Sequence, residues 1–138
     1  MKTSIATVSL AGSLVEKLHA CAAAGFDGVE VFEPDLIAGD HSPEEIRALA
    51  RRLGLTLDLY QPLRDLEGVD EPTFADNLRR AAATFATAQR LGIDTVLVCS
   101  NVATATVDSA EVSADQLRRT GDAAQTYGVR IAFEALAW

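Results

Sequence analysis

A unit of helix, glycine and short apolar run occurs four times along the chain. In each copy a helix-like segment ends at a glycine, and a run rich in Val, Leu and Ile follows; the glycines are Gly25, Gly54, Gly92 and Gly128. Glycine just past a helix end takes the left-handed conformation without a Cβ penalty. Short apolar runs are typical of buried parallel strands. The repeat therefore predicts helices that alternate with the strands of a parallel sheet.

Helix starts fall where this alternation requires them. Ser13, Ser42 and Ser113 each begin a capping box, in which a serine hydroxyl and a later Glu or Gln satisfy backbone N–H groups at the helix start. The predicted helices cover residues 14–24, 43–53, 73–91 and 114–127, and the predicted strands cover residues 4–9, 28–32, 55–60, 94–99 and 129–134. Strict alternation of this kind indicates an α/β fold.

Two architectures have this order of elements, an open doubly wound sheet and a (β/α)8 barrel. A doubly wound dinucleotide-binding sheet has a glycine-rich loop after its first strand, whereas SLAGS, at residues 9–13 here, has one glycine. Polar residues instead stand at the ends of successive strands, as ligand-binding residues do in barrels. They are Glu33 after the second strand, Tyr60, Gln61 and Arg64 after the third, Asn101 after the fourth and Glu134 at the end of the fifth.

The alternation of side chains within the strands also favours the barrel. In the third strand the two predicted faces carry Leu55, Leu57 and Leu59 on one side and Thr56, Asp58 and Tyr60 on the other. One apolar face suits a sheet that helices cover on one side only, as in a barrel wall. We therefore predict that residues 1–138 form the N-terminal half of a (β/α)8 TIM barrel, with about four βα units and a fifth strand.

The composition limits the partners that we expect. The net charge is −8 and the pI is near 4.6, without a basic cluster, which argues against nucleic acid and anionic membranes as partners. No apolar run approaches the roughly 20 residues that a membrane span needs. Cys21 and Cys99 lie in apolar stretches without a CxxC motif, so we predict two buried free thiols in a reducing compartment. We expect a cytoplasmic protein that binds a small molecule.

Four segments carry a resemblance to a known family. They are GFDGVEVFE, QPLRDLEG, VLVCSN and IAFEALAW, and they are similar to the sugar phosphate isomerase/epimerase superfamily, the xylose-isomerase-like TIM barrels. Within this superfamily the sequence most resembles the bacterial 3-dehydroshikimate dehydratases. The resemblance implies a lyase of aromatic catabolism that converts 3-dehydroshikimate to protocatechuate. It also implies that the other barrel strands lie beyond Trp138, so we expect the 138 residues alone to be inactive.

The same resemblance implies a divalent metal, Mg, Mn or Co, at the carboxyl ends of the strands. Glu134, in AFEAL, matches the first metal ligand of the family, and a carboxylate suits a hard divalent cation. Arg64 is the candidate for binding a substrate carboxylate, because a guanidinium can hold a carboxylate through two hydrogen bonds. Its alternative is an ion pair with Asp65 or Glu67. The other predicted substrate-binding residues are Glu30, Glu33, Tyr60, Gln61 and Asn101.

Several of these residues also have a purely structural interpretation. Glu30 alternates with two valines and should face the interior, where it contacts substrate or pairs with Arg130. Tyr60 and Gln61 either line the pocket or pack at the barrel rim. Asn101 either donates to substrate or caps the next turn. No catalytic acid or base is assigned.

Two other functions fit the same residues. A sugar phosphate isomerase/epimerase or an inosose dehydratase of this superfamily would act on a polyol without a carboxylate, so Arg64 would be dispensable. A half-barrel that self-assembles through its open, apolar edges would be a homo-oligomer without catalytic activity. The sequence leaves both alternatives open.

Overall fold

The computed structural model describes residues 1–103 and 105–136 and contains one five-stranded parallel sheet with the strand order β1-β2-β3-β4-β5. The strands are β1 (Ser4–Ala6), β2 (Gly28–Phe32), β3 (Thr56–Leu63), β4 (Thr95–Cys99) and β5 (Arg130–Glu134). The α-helices are α1 (Leu14–Ala23), α2 (Glu33–Ile37), α3 (Pro43–Arg52), α4 (Glu71–Leu91) and α5 (Ala110–Gln125). None of these helices is long and apolar enough to cross a bilayer.

The sequential order of the strands decides between the two architectures. A doubly wound sheet reverses its strand order at a switch point, whereas each strand here adds to the same growing edge. Because parallel crossovers are right-handed, sequential addition places the connecting helices on one face of the sheet. The structure confirms the predicted α/β barrel wall, and the doubly wound alternative is wrong.

The apolar core lies between the sheet and this helix layer. Val29 and Val31 of β2, and Val96 and Val98 of β4, are fully buried in one cluster with helix residues. The largest helix residues in that cluster are Leu18, Ile46, Phe85 and Leu91. Cys21 and Cys99 are free and buried, as predicted. The opposite face of the sheet, which we call the open face, is uncovered among the described residues and carries Glu30.

The glycines of the repeat have the predicted conformation. Gly25, Gly54, Gly92 and Gly128 have φ angles of +82°, +75°, +75° and +68°. Each reverses the chain between a helix and the next strand. The repeat therefore encodes the connections of the fold as well as the alternation of its elements.

The first strand is shorter than predicted, and a short helix was not predicted at all. β1 ends at Ala6, because Thr7 begins a 3-10 turn and is fully buried. The Thr7 hydroxyl accepts a hydrogen bond from the Phe32 N–H at 3.0 Å, which ties this turn to the end of β2. The five-residue α2 continues directly from β2, with Pro34 in its first turn.

Two helices begin earlier than predicted, because other residues cap them. Asp70 caps α4, and Ser109 caps α5. Ser113, which was predicted to cap the last helix, lies inside α5. Gln116 makes a long-range contact instead of completing a capping box, since its side chain donates to the Val69 carbonyl at 2.8 Å and accepts from the Val69 N–H at 3.3 Å.

The third strand contains an irregularity that the alternation pattern could not reveal. Leu57 and Leu59 lie opposite consecutive residues of β2, so Asp58 is an extra residue without a partner there. A β-bulge of this kind exchanges the two faces of the strand beyond it. Leu59 therefore lies on the open face and Tyr60 on the helix-covered face, so the predicted faces of these two residues are wrong.

Gly28 provides the space that this bulge requires. A Cβ at Gly28 would lie 2.0 Å from Asp58 Oδ2 and 2.5 Å from Thr56 Oγ1. Asp58 cannot easily move away, because it accepts hydrogen bonds from Thr56 Oγ1 at 2.7 Å and from Lys2 Nζ at 2.6 Å. The absence of a side chain at Gly28 is therefore a packing requirement.

We predict that Gly28→Ala lowers the free energy of unfolding by about 1–3 kcal/mol in the natural protein that contains this chain, because the new methyl group overpacks the site. Gly121→Ala is the matched control, since a methyl group at this position of α5 would meet nothing within 4 Å. That control should be neutral or more stable by up to about 1 kcal/mol. Urea unfolding measures both, and equal stability of the two variants would contradict the prediction.

Candidate active site at the carboxyl ends of the strands

Charged and polar side chains meet at the carboxyl ends of β3, β4 and β5. Residues 64–70 form the β3–α4 loop, and residues 100–103 and 105–109 belong to the β4–α5 loop. We call the region that contains Arg64, Glu67, Cys99 and Glu134 the mouth. Because parallel strands end at the same edge of a sheet, these side chains come together although they are distant in sequence.

Glu134 and Cys99 are neighbours on the last two strands. They lie directly opposite each other in the register of β4 and β5, and the Cys99 thiol donates to Glu134 Oε2 at 3.7 Å. Burial raises the pKa of the Cys99 thiol; Arg64 acts in the opposite direction, and the carboxylates of Glu134 and Glu67 add to the rise. Arg64, Glu67 and Glu134 therefore each lie within electrostatic range of the Cys99 thiol.

Glu134 can serve as one metal ligand but does not form a site with the other described residues. Its side chain is exposed, and the weak thiol contact leaves its carboxylate oxygens available. Within residues 1–103 and 105–136, no group of three or more His, Cys, Asp or Glu side chains is arranged to hold a metal ion. The carboxylate fits a hard divalent cation as one member of a larger ligand set.

Arg64 presents an available positive charge at the mouth. Its side chain is exposed, and its guanidinium has no ion pair or hydrogen bond with any residue that the structure describes. The alternative interpretation, a salt bridge to Asp65 or Glu67, is not observed in that part of the chain. The backbone is held in place, since the Arg64 carbonyl accepts from Arg80 Nη2 of α4 at 3.0 Å.

Asn101 connects the two loops. Its side-chain amide donates to the Glu67 carbonyl at 2.8 Å, and its Oδ1 accepts from the Ala103 N–H at 2.9 Å. In addition, its backbone N–H donates to Glu67 Oε1 at 2.7 Å. The Asn101 amide group is therefore engaged in loop structure at both ends, as in the turn-capping alternative.

Glu30 and Gln61 form a polar pair on the open face. Gln61 Nε2 donates to Glu30 Oε2 at 2.8 Å, and both side chains are half-buried. The predicted inward orientation of Glu30 is observed. Its predicted alternative partner, Arg130, instead donates to Thr95 Oγ1 at 2.8 Å.

Tyr60 and Glu33 lie on the other side of the sheet from this pair. Tyr60 is 1% exposed and packs in the core under α4, because the bulge at Asp58 turns it towards the helices. Its hydroxyl donates to Glu33 Oε1 at 3.2 Å, and Thr84 of α4 donates to the same oxygen at 3.5 Å. The structure thus does not bring Tyr60 and Glu33 together with the residues of the mouth.

Sequence reasoning gave Glu67 only the role of an ion-pair partner for Arg64. The structure shows a buried carboxylate that is 4% exposed and bound to the other loop. One signal was present in QPLRDLEG, since the glycine next to this glutamate, Gly68, suggests a tightly folded loop. In the structure Gly68 has a φ of +68°. Its partner in residues 100–109 could not be inferred, because the two loops are far apart in sequence.

Comparisons with known proteins agree with this fold. Residues 18–138 match the family model described as a xylose isomerase-like TIM barrel. A curated relative from Pseudomonas aeruginosa, named 3-dehydroshikimate dehydratase, is 52% identical over the whole of this chain, which covers 22% of the relative. This chain therefore spans about a fifth of the relative's length.

Solved structures are similar as well. One, described as a fusion of a xylose isomerase-like TIM barrel with 4-hydroxyphenylpyruvate dioxygenase, is 49% identical with a TM-score of 0.96 over 100% of this chain and 22% of that protein. Another is the IolI protein with a bound zinc atom, which has a TM-score of 0.84 at 22% identity over 96% of this chain and 51% of that one. At this low identity, the similarity to the IolI protein supports the fold alone.

The Tyr60 contact gives a pH-dependent prediction. Burial and then the charge of Glu33 raise the pKa of Tyr60 well above its usual value of 10. The unfolded chain therefore loses this proton first, and stability falls as the pH rises above about 10. Tyr60→Phe should cost about 1 kcal/mol near pH 8, from the lost hydrogen bond. The difference from the unsubstituted protein should shrink above pH 10, as measured by urea unfolding. A constant difference would contradict the assignment.

Proposed function

This chain belongs to the xylose isomerase-like TIM barrel family, and from that premise we propose that it forms the N-terminal part of a metal-dependent 3-dehydroshikimate dehydratase. The proposal takes support from the relative of that name, which is 52% identical along the entire chain. A second relative with the same name, from Pseudomonas putida, is 49% identical over the same length. The matched length includes the strand ends that form the mouth.

The observation that carries the proposal is the presence of one available positive charge and one available negative charge at the mouth. Arg64 offers an exposed guanidinium without a partner in the described part of the chain, and Glu134 offers an exposed carboxylate. Arg64 follows β3 and Glu134 ends β5, and Cys99 lies at the end of the strand between them. A site of this kind suits a substrate that carries a carboxylate at one end and a metal-binding oxygen at the other.

The chemistry of the substrate matches these groups. 3-Dehydroshikimate carries a carboxylate and a ketone, and loss of one water molecule converts it to the aromatic acid protocatechuate. Arg64 would hold the carboxylate through two hydrogen bonds and so orient the ring. Glu134 would contribute one ligand to a divalent cation, Mg, Mn or Co, which when bound supplies Lewis-acid stabilisation of negative charge. Glu30 and Gln61 would line the interior below the mouth.

We predict that Arg64→Ala in the natural protein raises KM for 3-dehydroshikimate by about ten- to 100-fold, because a charge-assisted contact with the substrate carboxylate is lost. Arg64→Lys should be intermediate, since an ammonium group keeps the charge but not the two-point geometry. Formation of protocatechuate, followed by its absorbance, measures the rate. Arg79→Ala is the matched control, because Arg79 is exposed on α4 and pairs with Asp76.

Other outcomes distinguish the alternatives. An epimerase or inosose dehydratase would turn over an uncharged ketose or inosose and would be insensitive to Arg64→Ala. A non-catalytic half-barrel would turn over neither class and would form a defined oligomer in light scattering. Absence of protocatechuate from the folded, metal-loaded protein would disprove the dehydratase proposal.

We predict that Glu134→Gln weakens binding of Mn²⁺ or Co²⁺ by at least about tenfold, since an anionic ligand is replaced by a neutral amide. Calorimetric titration of the natural protein with each metal measures the change. Glu111→Gln, at the exposed start of α5, is the control for the loss of one negative charge away from the mouth. Unchanged affinity in Glu134→Gln would exclude Glu134 as a ligand.

A further inference from the structure

We propose that Glu67 is a positioning residue, which fixes the β3–α4 loop so that Arg64 meets the substrate carboxylate. This inference rests on the proposed function and deepens it. Glu67 lies three residues after Arg64 in the same loop, and it contacts the neighbouring β4–α5 loop. It would act on the substrate through Arg64 and not by direct contact.

Two hydrogen bonds join Glu67 to Asn101, and Asn101 is the donor in both. The Asn101 N–H donates to the side-chain oxygen Oε1 at 2.7 Å, while the Asn101 amide donates to the Glu67 carbonyl at 2.8 Å. We call this arrangement the Glu67–Asn101 contact. A charge-assisted bond from a backbone N–H is stronger than a neutral one and strongly directional. The contact therefore helps to hold the two loops together at the mouth.

The other anchors of the loop bind its backbone and not the Glu67 side chain. One of them also joins the two loops, since the Val107 N–H donates to the Gly68 carbonyl at 2.6 Å. Arg80 of α4 donates to the carbonyls of Arg64 and Asp65, and Asn77 donates to those of Asp65 and Leu66. Gln116 of α5 binds the backbone of Val69 through two hydrogen bonds. Between these anchors, Glu67 is the polar side chain that turns inward.

Burial of Glu67 costs folding stability, which argues against a purely structural role. Glu67 is 4% exposed, and its Oε2 is buried without a hydrogen-bond partner in the described part of the chain. Burial of a carboxylate with an unpaired oxygen destabilises a fold, whereas a neutral side chain of similar size would avoid this penalty. The acceptor that Glu67 supplies to the Asn101 N–H therefore calls for a reason other than stability.

The position of Arg64 supplies that reason. Arg64 lies three residues before Glu67 in the same loop, so the backbone that Glu67 holds continues directly to the residue that carries the guanidinium. The Glu67–Asn101 contact thus fixes the loop that presents Arg64 at the mouth.

Steady-state kinetics of the natural, metal-loaded protein with 3-dehydroshikimate test this inference. Glu67→Ala should raise KM by about tenfold and change kcat by less than about threefold, because substrate binding is lost while the chemistry is retained. Glu67→Gln keeps an acceptor for the Asn101 N–H and should restore KM to within about threefold of the unsubstituted protein. If the Gln variant fails like the Ala variant, the Glu67–Asn101 contact is not what positions Arg64.

A double-mutant cycle identifies the route of the effect. In an Arg64→Ala background, Glu67→Ala should change KM by less than about twofold, since its action passes through Arg64. Additive effects would overturn the inference and leave the dehydratase proposal intact. Absence of turnover by the unsubstituted protein would instead disprove the proposed function, so the two failures are distinguishable.

Ser42→Ala is the control for general destabilisation. Ser42 caps α3, and its hydrogen bonds among the described residues are with Glu45, so its loss weakens the fold without removing a bond to either loop. KM of this variant should remain within about twofold of the unsubstituted value at a temperature where the protein is folded. A rise in KM equal to that of Glu67→Ala would show that lost stability alone explains the effect and would overturn the inference.

Discussion

The restriction of the helices to one face of the sheet governs the rest of this structure. Sequential strand order combined with right-handed crossovers produces it. One face then holds Val29, Val31, Val96 and Val98 in the apolar core, while the other is free to carry Glu30 and Gln61. Since all strands are parallel, their carboxyl ends share one edge, and the mouth forms there. A core and a ligand-binding region therefore follow from one topological rule.

Most of this architecture could be predicted from the sequence, because the sequence patterns that indicate it are local. A glycine with positive φ at a helix end, such as Gly92, depends on its immediate neighbours and can be recognised from them. The alternation in β3 was predicted correctly only as far as Asp58. Beyond that residue the bulge exchanges the faces on which Leu59 and Tyr60 lie. The bulge depends on the space left by Gly28, which is on another strand. Local patterns carry no information about such contacts.

The candidate site divides in the same way. The strand-end positions of Arg64 and Glu134 followed from the predicted topology together with the resemblance. The role of Glu67 was missed, because its partner Asn101 lies 34 positions later and the contact involves a backbone N–H, which leaves no mark in the sequence. Gln116 is similar, since a capping-box pattern concealed its long-range contact with Val69. The roles of side chains that bind backbone atoms of distant loops can be assigned only when the fold is known.

The bulge at Asp58 has a consequence for redesign of the interior. A library that reshapes a barrel pocket usually varies every second position of each strand, on the assumption of one uninterrupted phase. In β3 the alternation of side chains shifts by one position at the extra residue. Positions 56 and 58 face the interior in the N-terminal half of the strand, and positions 59 and 61 face it in the C-terminal half. A library that varied positions 56, 58 and 60 would change Tyr60, which packs against the helices, and would leave Gln61 unchanged. The strand must be treated as two segments with opposite parity.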